Sequence, residues 1–388
     1  MNHKIETMRS QVIIIGAGPA GLAIAGRLRK NNINFNIIEA TGQVASSWRN
    51  HYDRLHLHTV KQWSHLPHME FPDDYPLYVS KDKLVAYLES YADHFNINPE
   101  FHVIVKSIEK SKNGSWIVTS QDDKKYVAPK VVIATGVNRV PHMPVLANHD
   151  AFNGNIIHSR EYKNYKPYID KNVIVVGMGN TGAEIALDLS EQGIQTYLSV
   201  RGPINIVPRD LNGRPVQVTA KKLSRLPFGI GTWLGTQIRQ LYIGDLSKYG
   251  IESPKMGPTK QLLVTGKTPV VDIGTVDNIK AGKIKVIPEI SRLETNHALL
   301  TNGEKINADA IILCTGYKAK VEEFVENADQ LLDQYGCPSQ AISDGSHEGL
   351  YFIGFDNYKL GGILGIIMEE SKLISDHIQS TIQDHITL

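Results

Sequence analysis

The chain has 388 residues, enough for two domains rather than one, and its 41% hydrophobic and 21% charged content is ordinary for a globular protein. Its 41 Lys and Arg nearly cancel its 40 Asp and Glu, which leaves no electrostatic case for nucleic acid or an acidic membrane face. The two cysteines, Cys314 and Cys337, are far apart, so neither a metal-ligand cluster, a redox CxxC pair nor a structural disulfide is implied.

The first ten residues, MNHKIETMRS, are polar and lack the apolar core of a signal peptide. No apolar run approaches the ~18 to 20 residues that a spanning helix needs. A cytoplasmic, soluble protein without a membrane anchor is expected. Strand and helix patterns then alternate, which predicts an α/β architecture with parallel sheets. The apolar run Val12 to Ile15 leads into GAGPAG, a helical stretch from Ala20 to Arg29, and a second strand ending at Glu39. At mid-chain the event repeats: Val173 to Val176, GMGNTG, a helical stretch from Thr181 to Glu191, and TYLSVR ending at Arg201. A second pair of echoes, VVIATG with Ala134, Thr135 and Gly136, and IILCTG with Thr315 and Gly316, closes each unit. The pattern predicts two dinucleotide-binding, Rossmann-like domains, the second inserted into the first. Residues 1–166 and 318–388 form the first; residues 167–317 form the second, with a mainly irregular or helical insertion at about 203–280.

A lone GxGxxG is weak evidence, because glycines also make ordinary turns. Here both copies follow a buried strand, open a helix and are answered by a charge about twenty residues on. Gly16 permits the tight turn, Gly18 lets backbone approach a pyrophosphate, and Gly21 lets helix pack on strand; Gly177, Gly179 and Gly182 repeat the set. The helix starts, Pro19 and Ala20 in one copy and Asn180 and Thr181 in the other, would face the phosphates with unpaired N–H groups. Glu39, 18 residues after Gly21, suits the ribose hydroxyls of FAD or NAD. Arg201, 19 residues after Gly182, suits the 2′-phosphate of NADPH; the alternative is a solvated surface charge. FAD in the first site and NADPH in the second is the resulting expectation.

Between the two units FNGNIIHSREY matches FxGxxxHxxxY at Phe152, Gly154, His158 and Tyr162. In this segment the chain resembles the class B flavin-containing monooxygenases, where the same signature packs against the nicotinamide cofactor and sets the working orientation of the domains. That resemblance adds His158 and Ser159 to the expected cofactor contacts. Further segments, Tyr52 to Gln62, Gly266 to Pro288 and Asp309 to Ala319, are similar to the YUCCA group of that family in order and spacing. The resemblance implies that NADPH reduces FAD, that O2 adds at flavin C4a to give a peroxide, and that a small organic substrate is oxygenated. In the YUCCA group the substrate is an aryl 2-oxo acid, indole-3-pyruvate. By alignment His58 stands where amine-oxidising relatives carry Asn, and it is the candidate catalytic residue, as proton manager or orienting donor, with a packed histidine as the alternative. Trp48 and Leu57 are expected to frame the flavin, and Gly354 to begin the loop that approaches its ring. No metal is expected.

Other readings stay open on the residues alone. N- or S-oxygenation of amines and sulfides, or a flavin reductase without oxygenation, would use the same two sites. A disulfide reductase would need a thiol pair beside the flavin, which Cys314 and Cys337 do not offer in sequence. A non-catalytic NADPH-responsive protein is a further alternative. The partners expected are a small substrate and O2, and the sequence leaves monomer or homodimer undecided.

Overall fold

The structure, a computed structural model, describes residues 7–223 and 229–384. Two apolar runs found two parallel sheets. The strand β1 (Val12–Ile15) is buried at all four positions, as befits a central parallel strand covered on both faces. The helix α1 (Pro19–Lys30) starts with proline in its first turn, where a missing N–H costs nothing, and crosses to β2 (Phe35–Ile38). A Cβ at Gly26 would lie 2.1 Å from the Tyr91 hydroxyl, so this glycine lets α1 pack closely on the helix Lys81–His94. Three antiparallel strands, Val105–Lys110, Trp116–Ser120 and Lys125–Ala128, the last also paired in parallel with Thr7–Arg9, lead into β3 (Lys130–Ile133) on the far side of β1.

The chain then enters the second sheet earlier than the sequence reading has it. The strand β4 (Asn155–His158), assigned there to the first domain with a boundary at 166, pairs with a strand of the second sheet, Asn155 opposite Ala310 and His158 opposite Leu313. NIIH is short and half-buried, an edge strand that carries no periodic signal of its own but covers an open sheet edge. Next come β5 (Asn172–Val176), α2 (Asn180–Glu191) and β6 (Gln195–Ser199). Arg201 therefore lies two residues past its strand instead of ending it.

Among its described residues the insertion includes the helices α3 (Val216–Leu223), α4 (Ile230–Ile243) and α5 (Pro258–Thr265), and it closes on a short helix, Thr275–Lys280. It also contains strand pieces of two or three residues, Ile206–Pro208 with Val270–Asp272 and Asp210–Leu211 with Arg214–Pro215, too short for any periodic pattern. After it follow β7 (Ile284–Ile287) and β8 (Ala310–Leu313), completing the order β7-β6-β5-β8-β4, parallel throughout. The chain returns to the first sheet with β9 (Leu350–Phe352), giving the order β9-β3-β1-β2. It ends on α6 (Ile363–Asp384), whose Ile367, Ile374 and Ile378 share a core with Leu22, Ala25 and Leu28 of α1. Among the described residues no helix is long and apolar enough to cross a membrane.

Candidate functional site

Both glycine turns are built to one plan. Gly16 has φ +106°, and a Cβ there would meet the Ala134 carbonyl at 2.7 Å; Gly177 has φ +98° and would meet the Cys314 carbonyl at 2.8 Å. A Cβ on Gly21 would sit 1.8 Å from the Gly16 carbonyl oxygen, and one on Gly182 1.9 Å from that of Gly177. Gly18 and Gly179 differ, since nothing lies within 4 Å of a Cβ on either. The outer glycines are thus imposed by the protein's own packing. The middle ones cap α1 and α2 in extended conformation, with backbone that a phosphate can approach.

A single cavity of about 1580 Å³ runs from the first turn to the second helix and on into the insertion. Such a volume exceeds the ~300–1,000 Å³ of a drug-sized site and accommodates more than one ligand. Of the residues expected from the sequence it gathers Gly16, Gly18, Pro19, Ala20, Glu39, Trp48, Leu57, His58, Ala134, Thr135, Gly136, Asn180, Thr181 and Gly354. Gly21, Gly177, Gly179, Gly182, His158, Ser159, Arg201, Thr315 and Gly316 are not on its wall.

The carboxylate of Glu39 is held in place: Oε2 accepts from the Ala17 N–H at 2.8 Å, and Oε1 from the Thr41 N–H and hydroxyl at 2.9 and 2.8 Å. Three of its roughly four lone-pair directions are used, which leaves acceptor capacity for a hydroxyl in the cavity. The Thr135 hydroxyl is buried and has no partner among the described residues. Arg201 is exposed beyond β6.

His158 closes the second sheet. Its Nδ1 accepts from the Arg160 N–H at 3.1 Å, which leaves Nε2–H to donate to the Gly316 carbonyl at 3.0 Å. This arrangement uses the neutral ring, and burial lowers its pKa accordingly. The Ser159 N–H donates to the Leu313 carbonyl at 3.0 Å, so both residues fix the end of β8. Burial pushes the Cys314 thiol up to about 12 and that of Cys337 up to about 11. They lie in different core clusters and cannot form a reactive pair.

The residues that sequence reasoning missed lie where the two units meet. His58 Nε2 is hydrogen-bonded to Oε1 of Glu184, which is 1% exposed on α2. Beside them Tyr52 is buried against Glu184, and burial, then that carboxylate, raises its pKa well above the ordinary value. Further along the same stripe of α2, Arg54 Nη1 reaches Glu191 at 2.8 Å and Asp188 at 3.4 Å, while the Tyr162 hydroxyl donates to Asp188 at 2.5 Å. Glu184, Asp188 and Glu191 recur at four- and three-residue spacing. That acidic stripe on an otherwise apolar helix was the available signal. A second cavity of about 300 Å³ shares His56, His58 and Glu184 with the large one.

Two more contacts shape the far wall. Gln217 of α3 accepts from the Val60 N–H at 2.9 Å and donates to the Gly361 carbonyl at 3.1 Å. Glu370 of α6 accepts from the Gly354 N–H at 2.7 Å, and burial lifts its pKa to about 7.

The comparisons with known proteins agree with this geometry. Residues 9–333 match the flavin-binding monooxygenase-like family. The chain is 37% identical over 374 residues to the indole-3-pyruvate monooxygenase YUCCA6 of Arabidopsis thaliana, covering 94% of this chain and 89% of that one. Among solved structures, the flavin-containing monooxygenase of Stenotrophomonas maltophilia superposes with a TM-score of 0.73 at 18% identity, covering 97% of this chain and 99% of that one. The NADP+-bound cyclohexanone monooxygenase of Rhodococcus sp. Phi1 superposes with a TM-score of 0.77 at 16% identity, covering 97% and 85%. The chain belongs to the flavin-binding monooxygenase-like family, and with it to the monooxygenases that its YUCCA relatives represent.

Proposed function

We propose that the protein is an FAD- and NADPH-dependent monooxygenase that converts an aryl 2-oxo acid, O2, NADPH and a proton into an acid one carbon shorter, CO2, water and NADP+. The observation that carries this reading is the single cavity joining the first glycine turn to Thr181 and Glu184 of the second unit, with His58 on its wall. The first turn fits FAD: Gly18 offers open backbone, Glu39 retains acceptor capacity, and the Thr135 hydroxyl lacks a partner among the described residues. The second turn and the start of α2 fit the pyrophosphate of NADPH, and exposed Arg201 is available to its 2′-phosphate.

Bound there, the flavin supplies hydride acceptance from nicotinamide and activation of O2. The protein's own part is position, dryness and proton control. Trp48 and Leu57 contribute apolar wall. Glu184 holds His58 by Nε2, so the ring has one orientation, and Nδ1, with no hydrogen-bond partner among the described residues, is the nitrogen able to exchange a proton. Keeping an oxygen nucleophile deprotonated favours attack on a keto carbon over oxygen transfer to amines or sulfides. The indole-3-pyruvate monooxygenases among the relatives support that substrate class.

The test is a panel of phenylpyruvate, indole-3-pyruvate, a tertiary amine and a thioether, each with NADPH, O2 and catalase. One CO2 per NADPH from the 2-oxo acids is expected. Oxygenation of the amine or thioether with inert 2-oxo acids would transfer the assignment to heteroatom oxygenation.

A further inference from the structure

The cavity wall carries five Lys or Arg side chains among the described residues: Arg139, Arg160, Lys163, Arg239 and Lys359. Four are engaged by anionic or carbonyl oxygens. Arg139 pairs with Glu323, Lys359 with Asp356 at 2.9 Å, Arg160 bonds the Asn138 and Arg139 carbonyls, and Lys163 the Asn50 carbonyl. Arg239 is different. Among the described residues its buried Nε has no partner, and its hydrogen bond goes from Nη1 to the Ser253 hydroxyl at 3.3 Å. Burial lowers its pKa, and no carboxylate among the described residues opposes that shift. A half-buried guanidinium whose Nε is out of solvent and has no counter-charge among the described residues is unfavourable, and such groups mark sites where a ligand brings the charge.

The helix that carries it is shaped for a ligand as well. Gly231, Gly235, Ile238 and Arg239 of α4 all line the cavity, at spacings of four, three and one, so they form one helix face. Each glycine inside a helix costs about 1 kcal/mol relative to alanine. A Cβ at Gly235 would meet nothing within 4 Å, so packing against the protein does not demand glycine there. What the glycine leaves is room, one turn or about 6 Å along the axis from Arg239. Leu262 of α5 and Val216 of α3 add apolar wall.

We propose that Arg239 is the oxyanion anchor of the substrate subsite, and that the subsite takes an aryl or alkyl carboxylate with its apolar part over Gly231 and Gly235 and its carboxylate on the guanidinium. The inference deepens the 2-oxo acid reading and rests on it for the reacting group, but not for binding. A nucleotide phosphate has the same chemistry. The phosphates of the second nucleotide, however, have the open Gly179 backbone, the start of α2 and Arg201, whereas Arg239 stands in the insertion among apolar residues.

The experiment is calorimetric titration of the oxidised, flavin-loaded enzyme with phenylacetate and with phenylacetamide, its neutral counterpart, and separately with NADP+. Arg239→Met should weaken phenylacetate roughly 10- to 150-fold, leave phenylacetamide within about twofold, and leave NADP+ unchanged. Arg239→Lys should recover most of the acid's affinity. Unchanged amide binding and flavin content in the variants show that the fold is intact. Equal losses for acid and amide would overturn the proposal in favour of packing. A loss confined to NADP+ would overturn it by giving the oxyanion to a nucleotide phosphate. Because phenylacetate does not react, acid-selective loss in an enzyme that fails to turn over 2-oxo acids would keep the anchor and discard only the reaction.

Discussion

Glu370 gives the fold a pH dependence that one substitution should remove. Its carboxyl accepts the Gly354 N–H at 2.7 Å from a buried position on α6, and burial lifts its pKa to about 7 from an ordinary 4.5. The Gly354 bond and Lys359 oppose that lift, while Asp356 and Glu369 add to it. A raised carboxyl pKa means that the folded protein keeps its proton after the unfolded chain has lost it. Between about pH 4.5 and 7 the folded state binds more protons, so stability falls as pH rises through that window and stays lower above it. The gap is worth at most about 3 kcal/mol at pH 8 and nothing at pH 4. Glu370→Gln keeps an oxygen for the Gly354 N–H and cannot ionise. Thermal unfolding of the flavin-loaded protein should therefore show the variant about equal to the parent near pH 4.5, and several degrees more stable at pH 8. Parallel curves, or a variant destabilised equally at all pH values, would refute the argument and reduce Glu370 to a packed side chain.

Four further outcomes follow from the site. Gly16→Ala forces a side chain onto φ +106° and 2.7 Å from the Ala134 carbonyl, so it should cost about 1–3 kcal/mol and deplete flavin on purification, read from the visible spectrum. His58→Ala removes one hydrogen-bond partner of the buried Glu184 carboxylate and leaves it Tyr52, so it should destabilise by about 1–3 kcal/mol, and a denaturant cycle with Glu184→Leu should show coupling between the two positions. His58→Asn should suppress 2-oxo acid turnover while flavin reduction by NADPH stays intact. Arg201→Ala should lower kcat/KM for NADPH about 10-fold and hardly change NADH, the low end for a charged hydrogen bond because the residue is exposed and screened.

The sequence exposes the parts whose physics is local. Val12–Ile15 and Val173–Val176 are legible because a strand buried on both faces must be apolar throughout, and Gly16 and Gly177 because no other residue tolerates their φ. Glu39 is legible from its distance to the turn. The Asn155–His158 strand is misplaced because pairing with Ala310–Leu313 is decided by an edge more than 150 residues away. The His58–Glu184 bond, between residues 126 apart, depends on how the two units meet and has no local trace. Arg239 is hidden for another reason. Gly231 and Gly235 lower the helical signal of the segment that displays it, and an unpaired buried Nε is recognised only once the surrounding groups are placed.

The most direct test of the central claim follows one oxygen atom. Flavin-loaded enzyme with NADPH, phenylpyruvate and catalase is run under 18O2, and the phenylacetate formed is analysed by mass spectrometry against NADPH consumed. The account predicts one 18O in the product carboxylate and one CO2 for each NADPH. Unlabelled phenylacetate, or NADPH oxidation that yields only peroxide while phenylpyruvate survives, would contradict it.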